Sequence, residues 1–162
     1  MKITPNVCPK YLLGTQALIT LISGQDETFA SWVKDILKQS GNIFISTASI
    51  LQIHNIISSN ADEETIWRFE NTRNDFMQYN CIWPIMTEHE RMARQDLNFR
   101  FIWHNLEGEE TDIPFMERLV IAAAIEGYLD NPMFFVNIRQ PGYIKIKLRY
   151  KNRFKFLTTD KL

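Results

Sequence analysis

The side chains best placed to attack a bond are the hydroxyls of Ser46 and Ser49, a few residues before the imidazole of His54. A serine nucleophile needs a base to take its proton and a third group to orient that base. Neither serine sits in a G-x-S-x-G turn, and no triad pattern joins them to His54, so hydrolase chemistry is not expected. Metal chemistry of the zinc type has no better footing. His54, His89 and His104 show no HxxxH spacing, and Cys8 and Cys81 form no CxxC pair. The six glycines are scattered and build neither a P-loop nor a G-x-G-x-x-G turn. No cofactor is expected on these grounds.

Positive charge is the remaining chemical asset. Net charge is −1, with acidic clusters at 62–64 and 107–112, yet no carboxylate occurs between Asn131 and Thr159. That stretch carries Arg139, Lys145, Lys147, Arg149, Lys151, Arg153 and Lys155. Ile144, Ile146, Leu148 and Tyr150 alternate with Lys145, Lys147, Arg149 and Lys151, a pattern that predicts a strand with one apolar and one cationic face. Asn152 and Arg153 would turn the chain so that 154–156 returns as a hairpin arm. Such a ribbon suits phosphate contacts, with Tyr150, Phe154 or Phe156 stacking on bases. It equally suits an edge strand guarded by lysines against aggregation.

These groups must be held by a framework of strands and helices. A chain of 162 residues, 45% hydrophobic and 23% charged, has the size and composition of one globular domain. No linker or repeat divides it, so the expectation is a single domain over 1–162, with a core of about 10–149 and a basic extension at 150–162. Apolar runs such as 119–125 are too short to span a membrane, and no signal-peptide pattern opens the chain. A cytoplasmic protein with reduced thiols follows as the expectation. Short strands are predicted at 10–13, 43–46, 81–85 and 133–136. Helices are predicted at 15–22, 27–39, from a Ser49/Gln52 cap onward, from Asp62 onward, from a Thr87/Glu90 capping box to about Leu106, and from Pro114 to Gly127. Strands alternating with helices imply an α/β fold with a mostly parallel sheet covered by helices, and ligands at the strands' carboxyl ends. The aromatic residues Trp67, Phe69, Phe76, Trp83, Phe99, Phe101 and Trp103 crowd the middle of the chain. Three of them recur at spacing two, so one helix cannot bury them all, and a partner surface is expected there.

In order and spacing, four stretches resemble the PIN-domain nucleases, particularly toxins of the VapC and FitB type. Leu12-Leu13-Gly14-Thr15-Gln16-Ala17-Leu18-Ile19 is similar to that family's L-L-D-T-N-x-L-I opening. Ile45-Ser46-Thr47-Ala48-Ser49-Ile50-Leu51-Gln52-Ile53 is similar to I-S-x-x-T-x-x-E-L. Residues 113–124, with Glu117 followed by Ala122-Ala123-Ala124, resemble its Asp-bearing helix. Phe135-Val136-Asn137-Ile138-Arg139 falls where the family has V-T-R-D or V-T-R-N. The resemblance implies a three-layer PIN-like fold, a bacterial setting, dimers, and an RNA-cleaving site in which three or four carboxylates hold Mg²⁺ or Mn²⁺.

Those positions are where this chain departs. Gly14 and Gln16 stand for an aspartate and an asparagine, and Gln52 for a glutamate. The third acid falls on Glu117, with Arg118 one register step away, and the last on Ile138 or Arg139. Read without the resemblance, Gly14 marks a strand-to-helix turn, Gln52 a cap partner of Ser49, and Glu117 a helix N-terminal carboxylate. The expectation is a degenerate site with no metal and no catalysis, in a domain that serves as an interaction or scaffold module. A non-cleaving RNA- or DNA-binding module using residues 145–155 is the alternative, and a weak metal-dependent ribonuclease working through Glu117 is a third.

Overall fold

The computed structural model describes residues 8–97, 113–129, 131–140 and 142–162. Its elements run β1 (Lys10–Leu13), α1 (Thr15–Ser23), α2 (Glu27–Gln39), β2 (Ile43–Ser46), α3 (Thr47–Asn60), α4 (Glu63–Gln78), β3 (Ile82–Trp83), α5 (Thr87–Gln95), α6 (Phe115–Gly127), β4 (Met133–Asn137), α7 (Tyr143–Arg149) and β5 (Lys155–Thr158). The five strands form one sheet in the order β3-β2-β1-β4-β5, and every pairing is parallel. A parallel pair needs a crossover, and helices supply each one, which is why the strand and helix signals alternate along the chain.

Register sorts the strand residues into two faces. Leu12, Phe44, Phe135 and Phe156 are cross-strand partners on one face, and Leu13, Ile45, Val136 and Leu157 on the other. The first face packs against α5, α6 and α7 through Leu119, Val120, Ala123 and Ile146. The second packs against α1, α2, α3 and α4 through Leu18, Val33, Ile53, Phe69 and Phe76. Being covered on both sides, the strands are apolar at nearly every position, as parallel strands are. The result is the expected three-layer α/β architecture.

Local signals place most helix ends. Asp62 accepts from the amide of Thr65 at 2.7 Å to cap α4, and Gly24 closes α1 in the left-handed conformation at φ 69°. Two caps differ from expectation. Ser46, not Ser49, caps α3 by accepting from the Ser49 amide at 3.0 Å, so that helix starts one turn earlier. At α5 the cap residue is Met86, whose amide donates to His89 Nδ1 at 3.0 Å, so the Thr87/Glu90 box does not form. Strand β3 is shorter than the predicted 81–85, and α5 ends at Gln95 rather than running on to Leu106. Phe99, Phe101, Trp103 and His104 lie outside the described residues. Of the other central aromatics, Phe69 and Phe76 are buried while Trp67 is exposed.

The largest correction concerns the basic segment. Residues 143–149 form helix α7, not a strand, and its inward residues are Tyr143 and Ile146, with Tyr150 half-buried just beyond. Spacings of three and four are helical, and the two-residue alternation of Ile144, Ile146 and Leu148 is overridden: Leu148 is 72% exposed. Phe154 then inserts under the sheet, and β5 joins β4 in parallel as an edge strand. The chain therefore forms a parallel edge strand at 155–158 and not a hairpin arm. Packing favours the helix: the Tyr143 ring meets Phe135 at 5.6 Å and Phe156 at 4.9 Å between centroids, and Ile146, about one helical turn on, is buried in the same cluster.

Candidate functional site

Strand order reverses direction between β1 and β4, and the crevice at such a switch point is where parallel sheets place ligands. Here the crevice holds Gly14, the residue after β1, and Asn137, the last residue of β4. Gly14 is the N-cap residue of α1 but has no side chain to do the capping. Asn137 does it from across the sheet, its Oδ1 accepting from the Ala17 amide at 2.8 Å. The two residues are sterically complementary. A Cβ built on Gly14 would collide with Asn137 Cγ and lie 2.8 Å from the Phe135 ring, so Gly14 is required by close approach.

The other end of the Asn137 amide reaches α6. Nδ2 donates to Glu117 Oε1 at 2.6 Å and to the Tyr143 hydroxyl at 2.7 Å, and that hydroxyl donates to the same Glu117 oxygen at 2.5 Å. Glu117 is 4% exposed. Its carboxyl is pushed above the ordinary range by burial, and hydrogen bonds from Tyr143, the Thr15 amide and Asn137 offset only part of that. Tyr143 is raised as well, chiefly by burial and then by the neighbouring Glu117.

A second polar chain continues toward α3. The Thr15 hydroxyl donates to Gln52 Oε1 at 2.9 Å and lies 3.0 Å from Ser49 Oγ, and Ser46 Oγ donates to Ser49 Oγ at 3.1 Å. Because Thr15 gives its only proton to Gln52, Ser49 is the donor in the Thr15–Ser49 bond. Ser46, Ser49, Thr15, Glu117 and Asn137 are all buried. The serines are thus consumed in a cap and a relay of neutral bonds, while His54 is exposed on α3 and joins nothing here.

Of the positions singled out from sequence, Gly14, Gln52 and Glu117 converge. Glu117, not Arg118, points inward: Arg118 lies 5.4 Å over the Phe115 ring and donates to the Ala93 carbonyl. Gln16 is exposed on α1, and Ile138 and Arg139 are exposed beyond β4, so Asn137 is the residue of this segment that enters the crevice. Asn137 had a legible signal, being the first polar residue after the buried run 133–136. Thr15 and Tyr143 had none of comparable strength. The remaining expected residues, Lys145, Lys147, Arg149, Lys151, Arg153 and Lys155, lie on α7, the turn after it and β5, and none reaches the crevice cluster.

Other titratable groups are accounted for elsewhere. His89 is buried and braces α5 against α6 through a 2.5 Å contact from Nε2 to Glu126. Its Nδ1 accepts from the Met86 amide, which assigns the proton to Nε2. Cys8 and Cys81 are unpaired thiols, and burial raises that of Cys81.

The donor set does not fit the Mg²⁺ or Mn²⁺ site that the PIN resemblance implies. Hard divalent cations need several anionic oxygens. Among the described residues the crevice offers one carboxylate, whose Oε1 already accepts two hydrogen bonds, beside the amide groups of Gln52 and Asn137. Gly14 cannot be replaced by a ligand without displacing Asn137. These residues support no metal-assisted step.

No protein-family model and no curated relative matches the sequence. Solved structures do match in fold. A chain of the DNA-bound VapBC from Salmonella typhimurium superposes with TM-score 0.59 at 14% identity, covering 94% of this chain and 99% of that one. A chain of VapBC2 from Rickettsia felis bound to a promoter DNA fragment gives 0.57 at 14% identity, covering 93% and 98%. A chain of FitAB bound to the IR36 DNA fragment gives 0.58 at 13%, covering 92% and 94%. The fold of this chain is PIN-like over nearly its whole length.

Proposed function

We propose that the protein is a PIN-like domain that does not cleave phosphodiesters and acts as an interaction or scaffold module, held in a complex by a protein partner. One observation carries this reading: the crevice is closed by its own neutral groups. Gly14, Asn137 and Gln52 occupy the ligand positions, and Glu117 is buried under the Asn137 amide and the Tyr143 hydroxyl. A residual ribonuclease working through Glu117 is disfavoured because that carboxyl is buried and its Oε1 already accepts two hydrogen bonds.

The partner half of the proposal rests on two supports. The structures of like fold are of VapBC and FitAB complexes. In addition, Leu51, Ile56 and Met86 are more than half exposed and line two adjoining depressions on α3 and α6 that share Leu51 and Met116. Apolar surface clustered in this way favours a protein-covered face. A second copy of the chain is the first occupant to test. Among the described residues no helix is long and apolar enough to cross a membrane. A cytoplasmic bacterial setting and a single functional unit over 1–162 complete the proposal.

The nucleic-acid alternative loses its ribbon. On a helix, Lys145 and Arg149 share a side and Lys147 faces away, at about 100° per residue, so the three do not form one cationic face along α7.

The test is thermal unfolding with and without millimolar Mn²⁺, alongside incubation with RNA. The midpoint is expected to move by less than about 1 °C and the RNA to stay intact. A sharp Mn²⁺-dependent rise would sink the proposal. Light scattering checks the partner half, with a dimer mass expected for the wild type and a monomer for Leu51→Lys/Ile56→Lys.

A further inference from the structure

We propose that the cleft between α7 and the end of β5 is a nucleotide-phosphate site, built from Arg139, Lys147 and Lys161 with the hydroxyl of Thr158. The cleft encloses about 290 Å³ and is lined by these four residues together with the rings of Tyr143 and Phe156. That volume is at the small end of ligand pockets, suited to a mononucleotide rather than a polymer segment.

Three features converge on this ligand chemistry. First, the charge is uncompensated. No Asp or Glu lines the cleft, and the three cations enter no ion pair among the described residues. Cations gathered in a concave wall raise the local concentration of anions. Arg139 adds a planar fork that matches phosphate oxygens two at a time, while the lysines act as point charges. Second, Thr158 Oγ1 is buried and has no hydrogen-bond partner. A buried hydroxyl left in this state is an exception that a bound acceptor would resolve. Third, the half-buried Phe156 ring, backed by the buried Tyr143 ring at 4.9 Å, gives the cleft an aromatic surface that inorganic phosphate alone would leave uncovered. A flat base attached to the phosphate covers it.

Position in the fold supports the same reading. Arg139 follows β4 and Thr158 ends β5, so the cleft opens on the carboxyl edge of the sheet, beside the crevice and not within it. The two regions share only Tyr143, whose hydroxyl serves Glu117 while its ring faces the cleft. A ligand bound here is compatible with a scaffold and with any other role of the crevice.

Calorimetric titration of the full chain with inorganic phosphate, AMP and adenosine tests it, with a short oligoribonucleotide carrying a 5′-phosphate added to identify the source. AMP is expected to bind more tightly than phosphate, and adenosine not at all. Arg139→Ala/Lys147→Ala is expected to weaken AMP binding about tenfold or more, and Thr158→Val about threefold. An oligonucleotide that binds more tightly than AMP, with the same losses in the variants, assigns the site to a nucleic-acid end. Equal affinity assigns it to the free nucleotide. Circular dichroism verifies folding, and Lys161→Ala serves if the double variant does not fold. Absence of AMP binding at millimolar concentration, or binding unchanged in the folded variants, overturns the proposal.

Discussion

At the carboxyl edge of one sheet, the crevice by β1 and the cleft by β5 handle polar groups in opposite ways. In the crevice, Asn137 spends both ends of its amide on Ala17, Glu117 and Tyr143, and each group there answers another. In the cleft, among the described residues, Arg139, Lys147 and Lys161 stand without counter-charge and Thr158 Oγ1 without a partner. The first arrangement uses polar chemistry to hold the chain together; the second leaves it available. Proximity to strand ends therefore does not by itself mark a working site, since what matters is whether the groups there are already satisfied.

The sharpest way to break that contrast is to force a carboxylate back into the crevice. Gly14→Asp drives a Cβ into Asn137 and adds charge beside Glu117, and is expected to cost about 3 kcal/mol or more. That corresponds to a midpoint lower by roughly 10 °C at this chain length. Millimolar Mn²⁺ is expected to return none of it, and full recovery would show that the crevice still makes a cation site. Asn137→Ala comes next, at about 2–3 kcal/mol in chemical denaturation, because it strips the Ala17 amide and Glu117 of partners together.

Glu117→Gln sharpens the contrast through pH. Burial raises the Glu117 carboxyl, so the folded chain keeps that proton to higher pH than the unfolded chain does. Above the ordinary glutamate range the unfolded state binds fewer protons, and stability falls with rising pH until the folded carboxyl ionises too. Wild type is expected to lose midpoint temperature as pH rises above the ordinary glutamate range. Glu117→Gln is expected to flatten that slope and to be the more stable protein at the upper end. The smallest effect belongs to the cleft. Arg139→Ala and Lys147→Ala are each expected to change stability by less than about 0.5 kcal/mol, whatever they do to ligand binding. A large loss there would mean the cations are structural after all.

Much of this was legible in the sequence because the sheet is parallel. Buried strands read as apolar runs, capped helices lie between them, and the four resembling stretches landed on the strand ends and on α6. Legibility failed where local pattern and tertiary contact disagree. The alternation at 144–150 is a fair strand signal in isolation, yet Tyr143 and Ile146, about one helical turn apart, are the residues that reach the core. Position 118 versus 117 could not be separated by spacing, because a one-residue shift changes which side chain enters the crevice, and Asn137 lies one or two residues before the expected 138 or 139. Asn137 as the long-range cap of a helix that begins at residue 15 has no local signature at all.

The sheet order carries a consequence for how the chain is made. Strand β1 sits at the centre, yet its partner β4 follows only after some 120 residues, the separation of Ala17 from Asn137. At roughly 5–20 residues per second, a ribosome exposes the β1 edge for about 6–24 s before β4 can cover it. The amide of Ala17 waits equally long for its cap. During synthesis the first half is therefore a three-stranded intermediate with one open side, and whatever shields that side on the ribosome decides how much of the protein reaches its finished form.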